Sequence, residues 1–145
     1  MICKALKKKA GRYGKLELPF IIAINIKEIF CDEGMVANAL FGEMVVCINR
    51  KTLGHSVDRD PRTAALRDPK RNPKNTRVSG IIILDNLNPW CIIQKSPELW
   101  HNPWASYPFP PELWQLSQWI PNNEKSIYEK KDGKILSELF RLPHN

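Results

Sequence analysis

The chain has 145 residues, 43% hydrophobic and 26% charged, with a formal net charge of +7. That length suits one domain over residues 1–145, large enough to bury roughly two thirds of the surface its unfolded form exposes. The longest apolar runs, "PFIIAI" and "GIIIL", are too short to span a bilayer, and "MICKALKKKAGRYGK" lacks the apolar stretch and cleavage site of a secretory signal; no membrane partner and a cytoplasmic location are expected.

In chain order, Ile2, Leu6, Ala10 and Tyr13 recur at helical spacing, with Lys4, Lys7, Lys8, Lys9 and Arg12 on the other faces. Gly11 or Gly14 is placed to end this helix, which has no residue before Met1 to cap it and no earlier element for its apolar stripe to follow. "PFIIAIN", residues 19–25, is a β-branched run without polar alternation, the pattern of a strand covered on both faces. "DEGMVANALFG" predicts a second helix, capped by Asp32, with Met35, Val36, Ala39 and Leu40 on one face and Gly42 as its stop. "EMVVCI" predicts another strand. Residues 50–77 hold three prolines, many charges and little periodicity, and are expected to be a basic surface loop.

"RVSGIIILDN", residues 77–86, is the third strong strand, and "WCIIQ" is expected to be a fourth after the turn at Leu87, Asn88 and Pro89. All five tryptophans and seven of the twelve prolines then fall between residues 89 and 121, which implies an irregular, Pro-constrained segment pinned by rings. Within it "PPELWQLSQWI" predicts a short helix with Pro111 in its first turn. "KSIY" is strand-like, "EKKDG" reads as a turn, and Asp32's counterpart near the end, Asp132, is placed to cap a helix over "GKILSELF".

The charge is concentrated. Residues 1–15 carry six Lys or Arg and no acid, and residues 50–77 carry nine against three. Clustered cations attract phosphates through counterion release, so DNA or RNA is the partner they point to, although solvated faces are equally compatible with them. The candidate contacts are Lys4, Lys7, Lys8, Arg12, Arg50, Lys51, Arg71 and Arg77.

Other chemistry has little support. Cys3, Cys31, Cys47 and Cys91 follow neither zinc-ligand nor disulfide-scaffold spacing and sit in or beside apolar sequence, as small core residues do. His55 and His144 lie in the basic segment and the tail. His101 and Asn102 in "LWHNPWA" form the one polar pair held between indoles; they could donate to phosphate or orient a water, but satisfying backbone groups in a Pro turn is the simpler role. Glu129, Lys130 and Lys131, with Asp85 remote in sequence, only loosely imitate a nuclease metal site, and salt pairing explains Asp58 and Asp60 among arginines. No Walker, dinucleotide or GxSxG string occurs, so no cofactor is expected.

The order of a basic helix ending in "RYG", a short linker and the strand "FIIAIN" resembles the second half of a restriction-endonuclease-like core of the PD-(D/E)XK superfamily. There, metal-binding strands precede a helix that is followed by another buried strand. "NTRVSGIIILDNLNPW" and "LWHNPWASYPFP" resemble the C-terminal part of an uncharacterised bacterial protein family. The first likeness covers about residues 2–26, the second most of the chain. The resemblance implies an α/β fold, a mixed sheet with flanking helices: an N-terminally truncated, nuclease-like core followed by an irregular Trp/Pro-rich region. The superfamily's Asp and Glu-X-Lys would precede residue 1, so no catalytic residue and no metal ligand carries over. Activity alone is not expected, and a divalent metal would act only if the missing half were supplied.

Taken together these features predict a nucleic-acid-binding, nuclease-related fragment that could self-associate through the uncovered sheet edge at "FIIAIN". The alternative is a non-catalytic protein-interaction module docking through its Trp/Pro-rich segment.

Overall fold

The computed structural model describes residues 1–27, 31–92, 94–122 and 127–141. It is an α/β fold with a five-stranded mixed sheet and a few flanking helices, as the sequence predicts. The sheet comprises β1 (Ile21–Ile26), β4 (Gly80–Asp85), β5 (Glu98–His101), β6 (Gln118–Asn122) and β7 (Ile127–Lys131), in that spatial order. β1 runs parallel to β4 and β5 parallel to β6, while β4–β5 and β6–β7 are antiparallel. β2 (Met44–Ile48) and β3 (His55–Arg59) form a separate antiparallel hairpin. No helix among the described residues is long and apolar enough to cross a membrane.

Helix α1 (Ile2–Ala10) buries Ile2, Leu6 and Ala10 of the predicted stripe and stops at Gly11, which leaves the fourth stripe residue, Tyr13, outside the helix and exposed. Met1 gives it no side-chain cap, but the stripe is not without a partner: it packs on β1 and on α2 (Glu33–Phe41), both later in the chain. Asp32 caps α2 as expected, its Oδ1 accepting the Met35 amide at 2.7 Å. Gly42 ends α2 at φ +99°, a backbone region where a side chain is strained. Val36, Leu40 and Phe41 are buried, whereas Met35 is exposed.

Several strand or helix expectations are corrected. β1 alternates in burial despite its apolar composition: Ile22, Ile24 and Ile26 face the core while Ala23 and Asn25 are exposed, so one face is covered. "WCIIQ" is turn where it is described. Asn88 Oδ1 accepts the Trp90 amide, the Cys91 amide returns to Asn88, and the place beside β4 is taken by Glu98–His101. "PPELWQLSQWI" yields one 3₁₀ turn at Pro111–Leu113 before extending into β6.

Residues 50–77 also hold more order than a loop: they include β3, and the amides of buried Ala65 and Leu66 donate to the Ala39 and Leu40 carbonyls, open acceptors at the end of α2. Helix α3 (Leu136–Leu139) is a single turn whose flanking residue is Ile135, not Asp132. The Ile135 amide donates to the Glu138 carboxylate and the Leu136 amide to Ser96 Oγ.

On one face of the sheet, α1, α2 and residues 65–66 enclose Ile22, Ile24, Ile81, Ile83 and Trp100. On the other, Leu99 and His101 on β5 share a face with Gln118 on β6, beneath the Pro-rich crossover over residues 102–117. The cysteines are not core residues in full: Cys3, Cys31 and Cys91 are half-buried and Cys47 is exposed. Cys3 Sγ donates to the Ala39 carbonyl at 3.2 Å.

Candidate nucleic-acid interface

On α1, Lys4, Lys7 and Lys8 stand at i, i+3 and i+4, opposite the buried stripe, and all three are exposed. No carboxylate of a described residue lies within ion-pairing distance of them or of Arg12. Lys9, beside this face, donates to the Ala23 carbonyl of β1 at 2.8 Å, placing a charge on the sheet edge. Arg50 and Lys51 occupy the tip of the β2–β3 hairpin. There Asn49 Oδ1 accepts the Lys51 and Thr52 amides and the Asn49 amide closes the turn on the Gly54 carbonyl.

The remaining predicted cations are engaged. Arg71 donates to Asp58 at 2.6 Å, and that hydrogen bond, with the Arg59 amide, holds the Asp58 carboxyl below its usual pKa. Arg77 donates to the Tyr13 carbonyl at 2.7 Å, tying the base of β4 to the linker after α1. Asp60 is paired with Arg62, so both acids of "DRDPR" are salt-paired as the sequence suggested.

His101 and Asn102 are buried among protein partners. His101 Nε2 lies 2.7 Å from Gln118 Oε1, and burial depresses the imidazole pKa against the opposing effect of that hydrogen bond. Asn102 Nδ2 donates to the Val78 carbonyl at 2.7 Å while its Oδ1 accepts the Trp104 amide at 3.0 Å. Both amide functions therefore satisfy backbone. His144 lies outside the described residues.

Three acidic side chains here, Glu33, Glu98 and Asp85, are paired with lysines, and Glu129 accepts from an asparagine. Lys130 Nζ bridges Glu33 (2.8 Å) and Glu98 (2.7 Å) beneath the Trp119 ring, and those two hydrogen bonds raise its pKa. Asp85 pairs with Lys95 at 2.8 Å, and Glu129 accepts from Asn122 at 3.1 Å, so Asp85 and Glu129 serve different partners. Among the described residues no group of three or more His, Cys, Asp or Glu has the arrangement of a metal site.

The feature that sequence reasoning misses is a cleft of about 200 Å³ at the root of the hairpin. Arg59 reaches it from β3, its NH1 donating to Asn38 Oδ1 (3.1 Å) and to the Gly42 carbonyl (2.7 Å). Arg67 lies over the Trp104 ring, 5.2 Å from the centroid, with only long contacts to the Arg71 carbonyl. Neither guanidinium has a carboxylate in ion-pairing range among the described residues. Tyr128, stacked on Phe41 at 4.0 Å, forms another wall. Burial pushes the Tyr128 phenol pKa up while Arg59 and Arg67 oppose the shift, and burial lowers the Arg59 pKa. Both arginines lie in the basic segment, but nothing in sequence spacing brings them to rings so far along the chain.

Comparison with family models, curated proteins and solved structures finds no match for this chain.

Proposed function

We propose that this chain is a nucleic-acid-binding domain of nuclease-related type that contacts the phosphate backbone without hydrolysing it alone. The observation that carries this proposal is the exposed Lys4–Lys7–Lys8 face of α1, a single-sign patch with no carboxylate partner among the described residues. Such a patch gains affinity by releasing condensed counterions from a phosphate chain. Arg12 beyond the helix and Arg50 and Lys51 at the hairpin tip add exposed charge. Kinship to restriction-endonuclease-like proteins belongs to the same proposal and rests on the order of a basic helix and an apolar strand. Hydrolysis is not assigned to Asp85, Glu33 or Glu98, because each is engaged by lysine.

The rival, docking of a protein through the Trp/Pro-rich segment, has less to work with. Trp100 is 1% exposed, Trp104 and Trp119 pack against the core, and the half-buried Trp114 donates its Nε1–H to the Ser117 carbonyl, so of the five tryptophans Trp90 alone stands clear.

The test is fluorescence anisotropy with a labelled duplex over a series of salt concentrations. The Lys4→Ala, Lys7→Ala, Lys8→Ala triple variant should bind more weakly and lose about one unit of log–log salt slope per phosphate contact removed. Unchanged affinity and slope would refute the proposal.

A further inference from the structure

The cleft at the hairpin root differs in kind from the lysine face. Its cations are two guanidiniums rather than ammoniums, they are partly withdrawn from solvent, and they stand among rings. A guanidinium has five N–H donors in a fixed fork. Arg59 commits NH1 to Asn38 and Gly42 and retains Nε and NH2; Arg67 makes only contacts of 3.3 and 3.4 Å to one carbonyl. Two forks with donors to spare and no carboxylate in ion-pairing range among the described residues suit an anion with several acceptor oxygens, and phosphate suits them best.

The walls say what should accompany that phosphate. Trp104 and Tyr128, both half-buried, line the cleft beside the arginines, while Phe41, 2% exposed, lies behind them as core. Base stacking on such rings tolerates any sequence. The volume, about 200 Å³, falls below the roughly 300 Å³ at which ligand pockets ordinarily begin, so the cleft cannot admit a base pair.

Resting on the nucleic-acid proposal above, the geometry points to this cleft as a seat for one unstacked nucleotide of a single strand, its phosphate on Arg59 and Arg67 and its base against Trp104. The lysine face follows the backbone of any nucleic acid; the cleft selects a strand with a free, unpaired nucleotide. Preference for single strands therefore resides here and not on α1.

Three probes separate the two surfaces: a nucleoside 5′-monophosphate, a single-stranded oligonucleotide, and the same sequence as a blunt duplex. Tryptophan fluorescence reports cleft occupancy, and Trp104→Phe identifies the responding ring. In the wild type the mononucleotide should quench fluorescence and the single strand should bind more tightly than the duplex. Arg67→Gln should weaken mononucleotide and single-strand binding at least tenfold and leave duplex binding within twofold. Arg67→Lys, which keeps the charge but not the fork, should recover only part of the loss. The lysine triple variant should do the reverse, losing duplex affinity and keeping the mononucleotide signal. Unaltered thermal melting of Arg67→Gln guards against misfolding, and Arg59→Lys is the second variant should it melt early. If the oligonucleotides bind but Arg67→Gln and Trp104→Phe change nothing, the cleft assignment falls and the lysine face stands. If the mononucleotide binds and neither oligonucleotide does, the nucleic-acid proposal falls and the cleft is a small-molecule site. If no probe binds, both are wrong.

Discussion

The sheet around Trp100 and the β2–β3 hairpin are built from equally apolar sequence and do opposite things with it. Around Trp100, rings interlock: Trp100 stacks on Trp119 at 4.6 Å and Phe41 on Tyr128 at 4.0 Å, and His101, Asn102 and Gln118 nearby are each hydrogen-bonded, although the buried Trp100 Nε1 has no partner among the described residues. In the hairpin, "MVVCI" turns Met44, Val46 and Ile48 outward, Val46 at 64% and Ile48 at 68% exposure, with Val57 beside them. Apolar composition makes a strand; only a second layer of structure makes that strand core. The five-stranded sheet has its layer in α1 and α2. The hairpin pairs with no other strand among the described residues.

The sharpest way to break this contrast is to remove the central ring. Trp100→Ala should cost about 3–5 kcal/mol of unfolding free energy, measured by urea denaturation. A loss below about 1 kcal/mol would mean that the aromatic cluster is not the stabilising centre.

A subtler test uses pH. His101 is held neutral by burial, so its folded pKa lies below the ordinary 6.5. Above that value the imidazole is neutral both folded and unfolded, and the full stability is present. As pH falls below about 6.5 the unfolded chain gains a proton that the folded one resists, and stability declines until pH passes the folded pKa. Asp58 and Asp60, whose pKa values are lowered from 3.8 by Arg71 and Arg62, respond only in stronger acid and do not confuse this window. The melting temperature should drop between pH 7 and pH 5, and His101→Gln should flatten that drop. An identical slope in the variant would place the titration elsewhere.

The smallest effect belongs to the hairpin. Val46→Thr with Val57→Thr should alter stability by no more than about 0.5 kcal/mol in the same urea titration, because these side chains bury little. A cost several times larger would show that the hairpin face is covered in solution.

These two regions also mark what the sequence made legible. The helical stripe of Ile2, Leu6 and Ala10, the Asp32 cap and the Gly42 stop are local patterns, and each appears where the periodicity and cap chemistry place it. "WCIIQ" fails because β-propensity cannot tell which segment wins the side of β4 that β1 leaves open; Glu98–His101 takes it, and "WCIIQ", where it is described, follows Asn88 into a turn. The alternation of β1 was hidden for a related reason: Ala23 is as apolar in sequence as its neighbours, and only the helices decide which face is covered. The lysines of α1 could be named from their spacing. The Arg59–Arg67 cleft could not, because its walls come from α2, β3, the Pro-rich crossover and the last two strands.

The hairpin joins α2 at Gly42. A Cβ there would collide with the Asp60 carbonyl, and the Gly42 carbonyl itself receives the Arg59 guanidinium. For anyone wishing to alter the protein, this divides the arm into a part that can be edited and a part that cannot. At residues 49–54 the chain is exposed and bonded only to itself, so a reporter peptide or an affinity handle could be spliced in without disturbing the joint. At residue 42 even one methyl group would lever the arm away from α2 and drag Arg59 out of register with Arg67.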